Sequence, residues 1–501
     1  MCSKLPRLKW LMLLVLVVVV MCVSVPSVTF AAGESGHGGN AAGAGGGAAT
    51  GPTIQVGLPL ITVLPFALLL LAIAVLPLFA SHWWEHNKNK GIVVAILAVP
   101  VALYLAIAWG HEGQHNLLDK LVEYTSFIAL LGSLFVISGG IFVQGSLSGT
   151  PLVNTGMLAL GAVLANLIGT TGASVLLIRP ILRANAPRQR KSHIVIFFIF
   201  VVSNCAGLLT PLGDPPLFLG FLKGVPFEWT LRLWPQWLTV NAALLVIFHI
   251  WDEVVLDREE KETPGSQLEK VMQHEPLRVL GLHNVLFLAG VVATIYVSGL
   301  FMGQGNDLAV NLVQAAVMAL LGVAAYFTTA ASNREKNKFT FGPIIEVAVL
   351  FIGIFITMTP ALLILNAWGE HKRDVLGLEF GMTHPWQFFW ATGALSSFLD
   401  NAPTYMTFAA TACGLMDVST DGQYMREFID KGPAAVRLLA AISCGAVFMG
   451  ANSYIGNGPN FMVKAIAEEN GVKMPSFFGY MAYSGAILIP IFIVVTFVFF
   501  R

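Results

Sequence analysis

The chain has 501 residues, of which 56% are hydrophobic and 11% charged, and its 28 basic side chains balance 28 acidic ones. An ordinary soluble domain carries about 25% charged residues, so this composition, with a mean hydropathy of +0.74, reads as a polytopic membrane protein. A nucleic-acid partner is excluded because there is neither a basic domain nor a recognition motif.

The N-terminus reads as a secretory signal. Lys4, Arg7 and Lys9 form a basic region, Leu11 to Val23 an apolar one, and Thr29-Phe30-Ala31 a small-residue cleavage site. An uncleaved first membrane helix is the competing reading. Residues 32–56, rich in Gly and Ala, read as a flexible extracytoplasmic linker. The five cysteines (Cys2, Cys22, Cys205, Cys413 and Cys444) form no CxxC pair. The last three are expected to pack as small apolar residues.

Apolar runs at about 57–80, 91–109, 124–144, 193–225, 235–251, 281–300, 308–328, 343–366, 433–463 and 480–500 are the expected spans, since a helix needs about 20 residues to cross the hydrocarbon core. Two further runs, 151–182 and 386–412, are interrupted by Gly169-Thr170-Thr171-Gly172 and by Asp400-Asn401-Ala402-Pro403. Both are expected to be re-entrant hairpins. A polar tip at membrane depth is tolerated when it is buried in protein or faces water.

The distribution of Lys and Arg orients these spans. With the mature N-terminus outside, Lys88 and Lys90 fall inside, as do Arg179, Arg183, Arg188, Arg190 and Lys191, the charged stretch 252–279, and Arg334, Lys336 and Lys338. Lys372 and Arg373 are the exception. The expected organisation is a first membrane repeat at 57–251, a cytoplasmic joint at 252–279 and a second repeat at 280–501. Each repeat has five crossings and one hairpin, so the second enters from the opposite side as an inverted repeat. Glu123 and Glu346 are expected to open the third span of each half.

Two segments 243 residues apart match: Leu209–Phe218 and Asn452–Phe461 align Gly213 with Gly456, Asp214 with Asn457 and Pro216 with Pro459. Paired helix breaks in corresponding halves point to a secondary transporter's binding site. An Asp at membrane depth is a functional candidate by default. Asp214 and Asp400 are therefore expected to bind Na⁺ or a proton. Oxygens are expected from Asn401, Thr404, Thr210, Asn204, Asn452, Ser453, Asn457, Asn460, Thr170 and Thr171, the donor type that hard cations prefer. The competing readings are a helix cap for Asp400, a turn before Pro for Asp214, and bonds back to helix carbonyls for the hydroxyls. His111 and His115 lack a third ligand and read as an exposed loop. No Walker loop or GxSxG motif is present, so the chain reads as a transporter without cofactor and not as an enzyme. No Lys or Arg sits clearly among the motifs.

Leu395–Thr407 (LSSFLDNAPTYMT), Ser203–Gly220 (SNCAGLLTPLGDPPLFLG) and Gly450–Phe461 (GANSYIGNGPNF) resemble NhaD-type sodium/proton antiporters and their citrate-transporter relatives. These belong to the ion transporter superfamily, with arsenite permeases and divalent anion/sodium symporters. The resemblance covers about residues 57 to 500. It implies a scaffold domain and a transport domain of hairpins and broken helices, a homodimer, elevator-like movement and a multi-pass inner-membrane location. The symporters carry Ser-Asn-Thr at their hairpin tips, whereas this chain carries Gly-Thr-Thr-Gly and Asp-Asn-Ala-Pro-Thr. The buried carboxylates favour a Na⁺(Li⁺)/H⁺ antiporter. A carrier of citrate or another organic or oxyanion is the alternative, and an ion channel is the alternative from another class.

The topology has a direct check. A Gly265→Cys variant is expected to react with a membrane-impermeant maleimide only after the cells are permeabilised; labelling of intact cells would overturn both the orientation and the inverted repeat.

Overall fold

The structure, a computed structural model, describes residues 58–262, 275–302, 307–371, 381–420 and 422–501. The expected signal 1–31 and linker 32–56 lie outside the described residues. The chain forms α1 (Leu64–Phe79), α2 (Asn87–Ala108), α3 (Gly110–Gly139), β1 (Phe142–Ser146), α4 (Pro151–Ala184), α5 (Ser192–Val201), α6 (Pro215–Leu222) and α7 (Trp234–Glu262). After β2 (Glu275–Leu280) come α8 (Asn284–Phe301), α9 (Asp307–Thr328), α10 (Gly342–His371), α11 (Pro385–Ser396), α12 (Asn401–Leu415), α13 (Tyr424–Asp430), α14 (Pro433–Met449), α15 (Gly458–Glu469) and α16 (Phe477–Val495). β1 and β2 pair antiparallel, with Phe142 opposite Leu280 and Gln144 opposite Arg278.

Ten helices among the described residues are long and apolar enough to cross a membrane. The molecule is an all-α polytopic membrane protein, as expected where lipid forces the backbone to satisfy its own hydrogen bonds. Helices α1, α2, α3, α8, α9 and α10 pack among themselves. The remaining helices pack around the two interrupted runs and meet the first group mainly where α12 lies on α10 and α4 on α3.

Length alone misleads for α4. Its 34 residues would extend about 50 Å as a straight helix. Yet Asn154 near one end and Asn185 just past the other exchange amide hydrogen bonds of 3.0 and 2.7 Å. The chain therefore doubles back, and α4 is a hairpin of two helical arms. The reversal sits at Gly169, with φ 76° and ψ 156°, a conformation that costs a residue with a Cβ but is open to glycine. The second interrupted run turns over residues 397–400 between α11 and α12, of 12 and 15 residues. These measure roughly 18 and 22 Å, too short to cross a core of about 30 Å.

Three sequence expectations change. α3 begins at Gly110, so Glu123 lies well inside a helix rather than opening a span. His111 and His115 belong to the first turns of that helix, not to a loop. In the charged stretch after 251, α7 continues unbroken to Glu262.

That extension of α7 clamps the base of the first hairpin. Arg188, fully buried, places Nη1 2.8 Å from Asp252 Oδ1 and Nε 3.2 Å from Glu259 Oε2. Asp252 also accepts from Asn154 at 2.8 Å and meets His193 Nε2 at 2.8 Å. Removing one partner of a buried ion pair strands the other charge and costs about 3–5 kcal/mol. Asp252→Ala is expected to lower the melting temperature of the detergent-purified protein by several degrees. An unchanged melting curve would show that the clamp does not hold the hairpin.

Candidate functional site

Each broken span consists of a helix, a short 3₁₀ turn, a glycine crossing and a second helix. In the first, α5 leads to Cys205–Leu208 and α6 starts after Asp214; in the second, α14 leads to Gly450–Asn452 and α15 starts after Asn457. A Cβ on Gly213 would lie 2.3 Å from Gly207 O, and one on Gly456 2.5 Å from Gly450 O. The backbone folds past itself at a separation that excludes any side chain. The residue after each crossing caps the next helix in nearly the same conformation: φ −147°, ψ 144° for Asp214 and φ −151°, ψ 141° for Asn457. Pro215 and Pro459, in the first turn of each following helix, fit there because those amides have no intrahelical partner.

Four interrupted segments meet at Asp214, which is 1% exposed. Thr170, at the tip of the first hairpin, donates its hydroxyl to Asp214 Oδ1 at 2.9 Å. Asn457 donates Nδ2 to the same oxygen at 3.2 Å. Asn401, at the tip of the second hairpin, donates Nδ2 to Oδ2. The Thr170 amide also donates to Gly213 O at 2.8 Å, which pins the first tip against the crossing. All three side-chain donors are neutral. Among the described residues no Lys, Arg or His forms an ion pair with Asp214, whose side-chain partners are Thr170, Asn401 and Asn457.

Around this centre lies a shell of amides. Asn204 donates Nδ2 to Asn460 Oδ1 at 2.7 Å, and Asn460 donates Nδ2 to Gly450 O and Ser453 O at 2.8 and 2.9 Å. Asn452 donates to Ser397 Oγ at 2.9 Å, while Ser453 donates its hydroxyl to Ser397 O. Ser174 and Ser203 hydroxyls share a bond of 2.8 Å. Three amide oxygens, Oδ1 of Asn204, Asn401 and Asn452, are buried and receive no hydrogen bond from the described residues. Turning the Asn401 amide over would place its oxygen against the Asp214 carboxylate, so the assignment of nitrogen and oxygen is physically constrained. Buried acceptors are normally satisfied. The Asn401 oxygen, on the amide that binds Asp214, joins the carboxylate in a donor set of the kind hard cations prefer, and Asn204 and Asn452 hold further unbonded oxygens in the surrounding shell.

Not every expected residue joins the centre. Thr210 donates its hydroxyl to Asn166 O at 2.5 Å and Thr404 donates to Asp400 O at 2.9 Å, so both hold backbone turns. Thr171 makes no hydrogen bond to Asp214 but lines the adjoining cavity. Asp400, half-buried, caps α12 by accepting from the Ala402 amide at 3.0 Å. Its cap role is thus visible. Lys120 and Lys223, which sequence reasoning passed over, bond Glu123 between α3 and the end of α6. Lys223 stands nine positions after Asp214, a signal that was legible had the short helix been foreseen.

Beside the first tip a cavity of about 60 Å³ is bounded by Thr170, Thr171, Gly213 and Pro215 and by Leu131, Leu134, Phe135 and Ile344 of α3 and α10. Pockets for organic ligands of drug size run to roughly 300–1,000 Å³. This one has room for an ion and a water or two. The cavity adjoins Asp214 through its neighbours Gly213 and Pro215 and through Thr170, and its walls on the side of α3 and α10 are apolar.

No curated protein was found to match the chain. A family model described as "Putative citrate transport" matches residues 55–500, nearly the whole length. With its ten apolar helices and its interrupted segments gathered on one carboxylate, the chain belongs to that citrate transport family.

Proposed function

We propose that this secondary transporter exchanges Na⁺ or Li⁺ for protons, with Asp214 as the group for which the two compete. The observation that carries the reading is the carboxylate held by Thr170, Asn401 and Asn457 with no counter-charge. A charge at membrane depth is costly unless it is paired or neutralised. A proton neutralises Asp214; a cation pairs with it. One site that holds either but not both couples their movements. Asn401, Asn204 and Asn452 supply oxygens to the cation, and Asp400 is the second carboxylate of the site. Na⁺ is cargo here, and no resident cofactor is invoked.

The two halves form an inverted repeat in this reading. Two residue pairs support it: Asp214 with Asn457 and Cys205 with Phe448 are each 243 positions apart and each in contact, at 3.2 and 3.9 Å. Equivalent residues touch each other where a twofold axis passes between them. Helices α1–α3 and α8–α10 are the scaffold, and the hairpins and broken spans move against it in a homodimer of the inner membrane.

The second reading is a carrier of citrate or a related anion coupled to Na⁺ or H⁺, which the family match favours. The N-termini of α6, α12 and α15, which attract anions, meet at the same place. Asp214 repels an anion there until a cation is bound, so on this reading the cation binds first.

Proteoliposomes with an internal pH dye, challenged with Na⁺, Li⁺, K⁺ and citrate, separate these outcomes. The exchange reading predicts that external Na⁺ or Li⁺, entering in exchange for protons, alkalinises the lumen in the absence of citrate. Proton movement that requires citrate would replace it with the carrier reading, and a voltage-dependent current without a counter-ion would indicate a channel. Asp214→Asn is expected to reduce exchange to the level of empty vesicles. Asn457→Ala, which removes one hydrogen bond to a charged group, is expected to weaken the apparent Na⁺ affinity about tenfold and leave the maximal rate. Full exchange by Asp214→Asn would remove the proposed site.

A further inference from the structure

A second, larger cavity of about 550 Å³ opens between the N-terminal half of α3 and the far end of α6. Its floor is ionic. Lys120 Nζ lies 3.0 Å from Glu123 Oε2, and Lys223 Nζ lies 2.5 Å from Glu123 Oε1. The three side chains are 7–10% exposed. Two ammonium groups therefore share one carboxylate. A second acid, Asp119, also lines the cavity, 3.1 Å from His115 on the more exposed side of α3. Two buried lysines that share the Glu123 carboxylate retain donor N–H groups for a further acceptor.

A separate observation points to the same missing acceptor. Tyr424, 2% exposed, lines this cavity and its hydroxyl has no hydrogen-bond partner among the described residues. Lys223 Nζ stands 5.6 Å from the centre of the Tyr424 ring, so the ring that carries the unbonded hydroxyl packs on an ammonium that lines the pocket. What is lacking is anionic oxygen. Pockets for small organic ligands begin at roughly 300 Å³, and this space accommodates a small polyanion where the cavity beside the first hairpin tip does not.

We infer that this cavity is a second binding site, for a small carboxylate or oxyanion held by Lys120, Lys223 and the Tyr424 hydroxyl. In the expected topology the site faces the extracytoplasmic side. It also spans the two helix groups: Lys120 and Glu123 are on α3, whereas Lys223 ends α6. Asp214 caps the other end of that eight-residue helix, about 12 Å away. An anion bound here therefore bridges α3 to the helix that carries Asp214. The inference stands on the lysine cluster and does not depend on what Asp214 transports.

The test is calorimetric titration of the full-length, detergent-purified protein in Na⁺-free buffer with citrate, malonate, sulfate or phosphate. At least one anion is expected to bind saturably. Citrate and malonate binding without sulfate or phosphate assigns a carboxylate site; binding of all four assigns a general oxyanion site. Lys223→Gln leaves Lys120 paired with Glu123, so folding is expected to persist, and it should weaken binding at least tenfold. Tyr424→Phe keeps the ring and should weaken binding several-fold, consistent with loss of one hydrogen bond to a charged group. Asp214→Asn should bind as the wild type does. Absence of saturable binding by all four anions would overturn the inference. So would binding lost in Asp214→Asn but unchanged in Lys223→Gln and Tyr424→Phe, which would place the anion at the transport centre.

Discussion

A carboxylate with no counter-charge, enclosed by neutral donors, is the constraint on which this molecule is built. Asp214 takes its hydrogen bonds from Thr170, Asn401 and Asn457. Each donor comes from a different interrupted segment. None of them can neutralise the charge, so Asp214 needs a proton or a cation to remain buried at low cost. Had a lysine replaced any of these donors, the site would be a static ion pair. The neutrality of the shell is what leaves the occupancy of Asp214 open to exchange.

Assembling that shell at membrane depth requires helices that stop there. Two glycine crossings let the backbone pass itself, at Gly213 against Gly207 and Gly456 against Gly450. Gly169 reverses the first hairpin with a positive φ. At each stop the following helix presents free amides, which are satisfied locally: Asp400 takes the Ala402 amide, and Gly213 O takes the Thr170 amide. The clamp of Arg188, Asp252, Glu259 and His193 closes the opposite, open end of the first hairpin. A tip can hold position at Asp214 only if its base is fixed, and separating the members of a buried ion network would leave their charges buried and unpaired. Helix α6 then links the ion centre at its N-terminus to Lys223 at its C-terminus, so events at the two cavities share one rigid element.

Much of this was legible in the chain. Gly-Asp-Pro-Pro and Gly-Asn-Gly-Pro lie in apolar runs, where lipid gives a broken helix no way to satisfy its backbone, so the breaks had to be buried and near one another. The pairing of Asp214 with Asn457 followed from their alignment. Other features were not legible. A threonine hydroxyl serves a ligand or a helix carbonyl equally well, and only the packed geometry shows that Thr210 and Thr404 do the latter. Asp400 looked equal to Asp214 by context, but it is half-buried and caps α12. Lys120 and Lys223 are 103 positions apart, and Arg188 is 64 positions from Asp252. Ion networks of that separation depend on helix packing, about which periodicity says nothing.

Equilibrium binding of radiolabelled Na⁺ to the purified protein addresses the central claim without relying on transport. The account predicts one saturable site per chain, weakened as protons are added and absent in Asp214→Asn. Na⁺ binding that is unchanged in Asp214→Asn, or that does not respond to proton concentration, would contradict it.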